Sequence, residues 1–283
     1  MIRFVFVLLL IAPLIAGAQD QEIPTSGIPS LFEVGAGFGA AWFPHYPGSD
    51  QERLFALPFP YVVYRGSILR SNREEGTRAR FLYGRDYEFS MSADGAIPVS
   101  SENNFAREGM PDLGWIFEIG PKFSLKLVDF EDKGSVRFGL AARSVLTSET
   151  SWTVEHRGSV FETALDFVRP RFVANVIDLQ ASMSARWATE PYQSYFYEVA
   201  PVYAKAGRPA YSAQGGFLYS TLGLGVSYRT HDEDHRIALM GYVDSLNGSA
   251  NAGSPLVKSQ INTSIAIAYI TVFHRSETKA DID

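Results

Sequence analysis

The sequence predicts an all-β fold: a transmembrane antiparallel β-barrel of the bacterial outer membrane, about 12 strands around, with long extracellular loops and short periplasmic turns. Three observations carry this expectation. Segment after segment alternates apolar and polar residues with period two, the spacing of strands that present one apolar face. Aromatic residues make up 13% of the chain and gather near the ends of those segments, where a soluble sheet would have to bury them. The chain also opens with an export signal.

That signal comes first in the chain. Met1-Ile2-Arg3 is a short positive start, Phe4 to Ala16 an apolar run, and Ala16-Gly17-Ala18 a small-residue cleavage site. Residues 1–18 are therefore expected to be removed as a signal peptide, because the apolar run is too short for a spanning helix and carries Pro13. A periplasmic N-terminal segment is expected over 19–30. There is no cysteine, so a lipid-anchoring thiol, a disulfide framework and a thiolate metal site are excluded. A net charge of -6 argues against nucleic acid as a partner. No later stretch approaches the roughly 20 apolar residues of a membrane helix.

The strands follow in order. In the first, Phe32, Val34, Ala36, Phe38, Ala40 and Trp42 take one parity, Glu33, Gly35, Gly37 and Gly39 the other, and Pro44 ends the run. The apolar parity is expected to face lipid and the glycine parity the lumen, where glycine permits close strand approach. Further strands are expected near 53–64, 67–72, 77–84, 86–97, 113–127, 134–147, 157–169, 176–188, 215–229, 235–246 and 259–273. The clearest is 177–188, with Ile177, Leu179, Ala181, Met183, Ala185 and Trp187 against Asp178, Gln180, Ser182, Ser184 and Arg186. Reading 67–84 as two short strands makes connections alternate between long and short, as a barrel with both ends in the periplasm requires. Twelve strands result, with ten as the fallback. The barrel is expected over 31–273 and a polar periplasmic tail over 274–283. Trp42, Phe43 and Tyr46, then Trp187, Tyr228, Tyr269 and Phe273, are the expected interfacial aromatics.

A soluble sandwich would alternate as well. Its polar face would meet bulk water and be crowded with Lys, Glu and Thr, whereas here that face carries Gly, Ser and Ala mixed with charges of both signs. Such a face suits a narrow hydrated interior. The candidate lumen-lining residues are Glu33, Glu118, Arg137, Arg143, Glu162, Asp166, Asp178, Arg186 and Arg229. Two readings are open for them: a path for solutes, or pairing across strands that fills the barrel.

The long stretch 189–214 offers Tyr192, Tyr195, Phe196, Tyr197, Tyr203 and Tyr211 as a candidate external recognition loop. The competing reading is a self-packed cap over the barrel mouth. His231 and His235 are spaced like metal ligands on a helix but fall on a tight inner turn, where a solvated charged turn is the simpler account. His45 and His156 are expected in outer loops, His156 near Ser151 and Glu155, which is the whole basis for a remote hydrolase reading. No nucleophile elbow, zinc-protease motif or phosphate loop is present, so no catalytic, cofactor-binding or metal residue is assigned.

Several stretches together resemble the MipA/OmpV family of outer-membrane proteins: Tyr46-Pro-Gly-Ser-Asp-Gln51, Leu57-Pro-Phe-Pro-Tyr-Val62 with Tyr64-Arg-Gly66, Tyr195-Phe-Tyr-Glu-Val199, Gly207-Arg-Pro-Ala-Tyr211 and Ser254-Pro-Leu-Val257. The resemblance implies a barrel in the outer membrane of a Gram-negative bacterium, in contact with its lipid, without enzymatic activity or cofactor. It further implies a scaffold linked to peptidoglycan metabolism, whose partners would be a lytic murein transglycosylase and a bifunctional penicillin-binding protein. Relatives are also linked to osmotic or acid response, adhesion and antibiotic susceptibility. The alternative function is an outer-membrane pore for small solutes or antibiotics. One departure stands out: relatives usually end at an aromatic residue of the last strand, whereas here polar residues follow Phe273.

Overall fold

Period-two alternation places neighbouring side chains on opposite faces, and in the computed structural model each alternating segment is a strand of one sheet. The structure describes residues 30–66, 69–72, 76–130, 134–148 and 153–280. The expected signal peptide and all but the last residue of the 19–30 segment lie outside them. The strands are β1 (Phe32–Pro44), β2 (Glu52–Arg65), β3 (Leu69–Asn72), β4 (Gly76–Tyr83), β5 (Tyr87–Ala96), β6 (Trp115–Asp129), β7 (Ser135–Ser148), β8 (Val154–Val173), β9 (Ile177–Ala188), β10 (Gly216–Arg229), β11 (His235–Ser245) and β12 (Ile261–Arg275). Each pairs antiparallel with its sequence neighbours, and β1 pairs with β12, so twelve strands close a barrel. Closure satisfies backbone groups that hydrocarbon would leave unpaired.

The faces follow the alternation. On β1, Phe38 and Trp42 point outward, while Glu33, Gly35, Gly39 and Ala41 are turned into the barrel. Outward-facing Leu222, Leu224, Ile265 and Ile267 continue the lipid belt on β10 and β12. Trp42 and Trp187 mark its outer margin, and Tyr228, Tyr269 and Phe273 its inner one, all exposed. Phe43 and Tyr46 do not join this girdle: both are buried inside, because Phe43 takes the lumen parity and Tyr46 turns into the mouth and donates to Leu256 O at 2.8 Å.

Gly37 shows why the inner parity of β1 is nearly bare. A Cβ there would lie 2.4 Å from Phe59 Cζ, so the Phe59 ring of β2 occupies the space that glycine leaves inside the barrel. Inner turns are tight, such as 174–176, where Ala174 and Asn175 adopt positive φ of 51° and 60°. The outer connections 45–51, 97–114, 189–215 and 246–260 are longer and carry the loop structure. Within 189–215 lies α1 (Glu190–Tyr197), a helix too short for a periodic signal, entered through Thr189 with Pro191 in its first turn. At the other end, residues beyond β12 run back along the start of the chain: Leu31 N donates to Thr278 O at 2.8 Å, and Ser30 bridges to Lys279.

A lipid-facing position is tested by charge. Leu224→Arg, near the middle of β10, should cost about 2–4 kcal/mol of stability, the depth-dependent penalty for a cation on the lipid face. Urea titration of the protein folded in phospholipid vesicles measures it, and a neutral substitution effect would mean that this face is not in hydrocarbon.

The lumen ion cluster and its cap

Five consecutive strands each aim a charged side chain at one point in the outer half of the lumen. Asp94 (β5), Glu118 (β6), Arg143 (β7), Glu162 (β8) and Arg186 (β9) all sit on the inward parity of their strands. Arg186 reaches all three carboxylates: Nε lies 2.8 Å from Glu162 Oε2, Nη1 lies 3.4 Å from Glu118 Oε1, and Nη2 is paired with Asp94. Arg143 Nη1 is 3.6 Å from Glu118 Oε2 and 3.4 Å from Glu162 Oε2, and its Nε donates to Ser92 Oγ at 3.1 Å. Two guanidinium groups against three carboxylates leave one negative charge in excess. The Tyr192 hydroxyl, descending from α1, donates to Glu118 Oε1 at 3.0 Å and spreads that charge further. Burial and the adjacent Glu118 carboxylate push the Tyr192 hydroxyl well above the ordinary tyrosine range, so it stays a donor.

Above the cluster, α1 is bound to every long outer connection. Tyr197 Oη donates to Pro47 O at 3.0 Å, Arg107 Nη1 donates to Phe196 O at 2.9 Å, and Ser254 Oγ donates to Tyr197 O at 2.7 Å. Gly114 N donates to Tyr195 Oη at 2.6 Å, and Gln193 bridges Gly216 O at 2.8 Å to Asn251 Nδ2 at 2.5 Å. Tyr46, Tyr192, Phe196 and Tyr197 pack with Leu113, Ile116, Val145, Val160 and Leu218 in one buried apolar cluster across the mouth.

The loop aromatics are therefore not an outward recognition surface. Tyr192, Phe196 and Tyr197 are buried, and Tyr195, Tyr203 and Tyr211 are half-buried against the same packing, because the barrel mouth is apolar and takes them as a stopper.

The nine candidate lumen residues separate by depth. Glu118, Arg143, Glu162 and Arg186 meet in the outer cluster. Nearer the inner end, Glu33 accepts from Arg65 Nη2 at 3.0 Å and Tyr61 Oη at 3.3 Å. Asp178 accepts from Arg229 Nη2 at 2.9 Å, Ser227 Oγ at 3.1 Å and the Arg171 backbone N at 2.8 Å. Arg137 and Asp166 are direct cross-strand neighbours of β7 and β8. Asp94, Ser92 and Arg65 are members that the sequence reading did not single out. Asp94 stood on the polar parity of 86–97, which was signal enough. Arg65 was hidden because the inward parity of β2 is mostly apolar.

The histidines occupy other settings. His45 Nδ1 is 3.1 Å from Asn104 Nδ2 in the outer rim, and partial burial, then the charge of Arg53, lowers its pKa. His156 lies in β8 rather than in a loop, since that strand begins at Val154, and Ser151 is outside the described residues. On the inner turn, His235 stacks on Tyr269 with ring centroids 6.0 Å apart, and Asp234 pairs with Arg275 at 2.5 Å. Among the described residues no three His, Asp or Glu side chains converge as a metal site.

Residues 36–272 match the family model described as MltA-interacting protein MipA. No curated protein matches the chain. Among solved structures it is similar to an outer-membrane channel from Pseudomonas putida F1, at 10% identity over 90% of this chain and 100% of that chain, with a TM-score of 0.44. It is likewise similar to the NanC porin, at 7% identity over 87% and 100% with a TM-score of 0.39. For OmpT of Vibrio cholerae the values are 9% identity, 86% and 97%, and a TM-score of 0.38.

Two expectations follow from this geometry. Arg186→Met leaves Asp94, Glu118 and Glu162 facing Arg143 alone and should cost about 3–5 kcal/mol, as breaking a buried ionic group does. Adding Glu118→Gln should restore part of it in urea unfolding, and strict additivity of the two changes would show that the groups are uncoupled. For His45 the folded state favours the neutral ring, so its contribution is complete above the ordinary pKa of about 6.5 and declines as pH falls below it. The protection factors of amides around Asn104, corrected for intrinsic exchange, should fall from pH 7 to pH 5, and His45→Gln should flatten that dependence.

Proposed function

The chain belongs to the MipA family of outer-membrane β-barrels, and from that premise we propose that it acts as a non-enzymatic scaffold of the cell envelope rather than as an axial pore. The observation that carries this reading is the chord of ion pairs from β9 to β5 with α1 packed above it. An aqueous path down the axis would have to break both.

The family description names an interaction with MltA. Carried to this chain, the partners are a lytic murein transglycosylase and a bifunctional penicillin-binding protein, held at the periplasmic side of the barrel after removal of residues 1–18. The inner rim supports this. β8 continues past its last regular pair, Arg169 with Leu179, into a hairpin that exposes Phe172 and Val173, and Phe130 is exposed on the neighbouring turn. An apolar hairpin tip ringed by the Arg171–Glu233 pair at 3.2 Å has the anchor-and-rim composition of a contact site. A stable complex needs about 1,000 Å² of buried surface, so the hairpin would share the contact with adjoining turns and the chain ends.

The purified protein should capture a murein transglycosylase from a periplasmic extract, and Phe172→Asp with Val173→Asp should abolish capture while leaving the heat-modifiable barrel intact. In planar bilayers the protein should be close to silent. Steady conductance that is unchanged by Arg186→Met would replace the scaffold with a pore, and equal capture by an unrelated barrel would remove the scaffold altogether.

A further inference from the structure

The lipid-facing wall is not smooth. A groove of about 430 Å³ crosses its outward side from β5 to β9. Small residues make its floor, Ala142 on β7 and Thr163 on β8, both half-buried although they take the outward parity. Larger side chains stand around the floor. Phe161 and Trp187 form one side and Phe89, Phe123 and Leu140 the other, all of them exposed.

The dent has a local cause. Regular pairs between β6 and β7 stop at Ile119–Ser144 and resume at Lys122–Ala141, and the two residues between them on β6 are Gly120 and Pro121. Proline brings no N–H to a ladder. Glycine lets the two strands close up, since a Cβ on Gly120 would stand 2.0 Å from Ala142 O. Pro121 and Ala142 both line the groove, and neither has a side chain long enough to fill it.

The cross-strand register sets the direction of the groove. Phe161 is opposite Trp187, which marks the outer margin of the lipid belt, while Phe123 is opposite both Leu140 and Phe89. Phe89 lies close to the start of β5 at Tyr87, whereas Trp187 lies next to the end of β9 at Ala188. With strands tilted by about 35–45°, the groove therefore climbs obliquely along the wall and opens at the outer margin. Above that opening the wall turns polar: His156 is exposed on β8, opposite the outward-facing Leu146.

We propose that this groove holds one acyl chain of a lipopolysaccharide molecule of the outer leaflet, whose phosphorylated headgroup rests beside Trp187 and His156. The groove is continuous with the lipid belt, so hydrocarbon is what meets it. Left empty, its lining would forfeit dispersion contacts that a flexible chain restores. A second barrel is a poor occupant, because a specific protein interface buries about 800 Å² on each partner and a rigid strand face would bridge a trough instead of entering it. The open end fixes the source of the chain, for the lipid whose headgroup stands at the outer margin of a Gram-negative outer membrane is lipopolysaccharide. Lipid held in the outer wall is independent of any partner at the inner rim.

Native mass spectrometry of the mature protein, folded in phosphatidylcholine vesicles that contain hexa-acyl lipid A and then released into a neutral detergent, counts the lipids that stay bound. One lipid A should remain on each barrel. Ala142→Phe, which fills the floor, should weaken retention at least about tenfold, the equivalent of two buried methylenes. Leu222→Phe, at an exposed position of the β10 lipid face, should leave retention unchanged. Thr163→Phe replaces the first variant if heat-modifiable migration shows that Ala142→Phe does not assemble. Retention of lipid A no greater than that of phosphatidylcholine, or equal retention by the groove-filling variant, overturns the assignment. A wild-type dimer that the same variant dissociates also overturns it and gives the groove to a second copy of the chain.

Discussion

Hydrocarbon offers no hydrogen bonds, and that constraint organises the molecule. A backbone that crosses it must pair within itself, which a sheet achieves only by joining its first strand to its last. Here β1 meets β12 over Glu33 to Trp42, so the glycine-rich opening strand and the final strand complete each other's ladders. Glycine on the inward side of β1 belongs to the same solution. With no side chain at Gly37, the Phe59 ring fills that space, and the wall of the barrel there is packed from within.

Once the outer parity is given to lipid, the inner parity must accommodate everything polar. It does so unevenly. One wall, from β5 to β9, concentrates carboxylates and guanidinium groups that pair with one another below the mouth. The opposite wall, β12, β1 and β2, is mostly glycine, alanine and large apolar residues, with the Glu33–Arg65 pair at its inner end. Charges enclosed in a narrow space are expensive unless their remaining hydrogen-bonding capacity is used, and Ser92 and Tyr192 use it. The cap and the ion cluster are thus one unit: Tyr192 is both a member of the apolar stopper and the donor to Glu118.

The two ends of the barrel differ in character. Outside, three connections share hydrogen bonds with α1, which lies on the fourth, and the four form a continuous lid. Inside, the turns are tight and are linked at their edges by ion pairs such as Arg171 with Glu233 and Arg275 with Asp234. A lid built from interlocked buried tyrosines suits closure. Exposed hairpin tips suit contact with a second protein.

Strand number, lipid-facing parity and membrane class were legible in the chain itself, because a two-residue repeat is a local property and each of the twelve segments displays it or its turn signals. Outward Phe38, Leu224 and Tyr269 are cases in point. The identities of polar lumen residues were legible for the same reason. What they do was not: Glu118, Glu162 and Arg186 come from different strands, and only the closed register brings them to one point, where they form ion pairs. The fate of the tyrosine loop was equally undecided, since Tyr197 reads the same whether it faces a partner or Pro47. Alternation specifies faces residue by residue; contacts between distant segments depend on how far the sheet curves before it meets itself, and that is decided only by the assembled barrel.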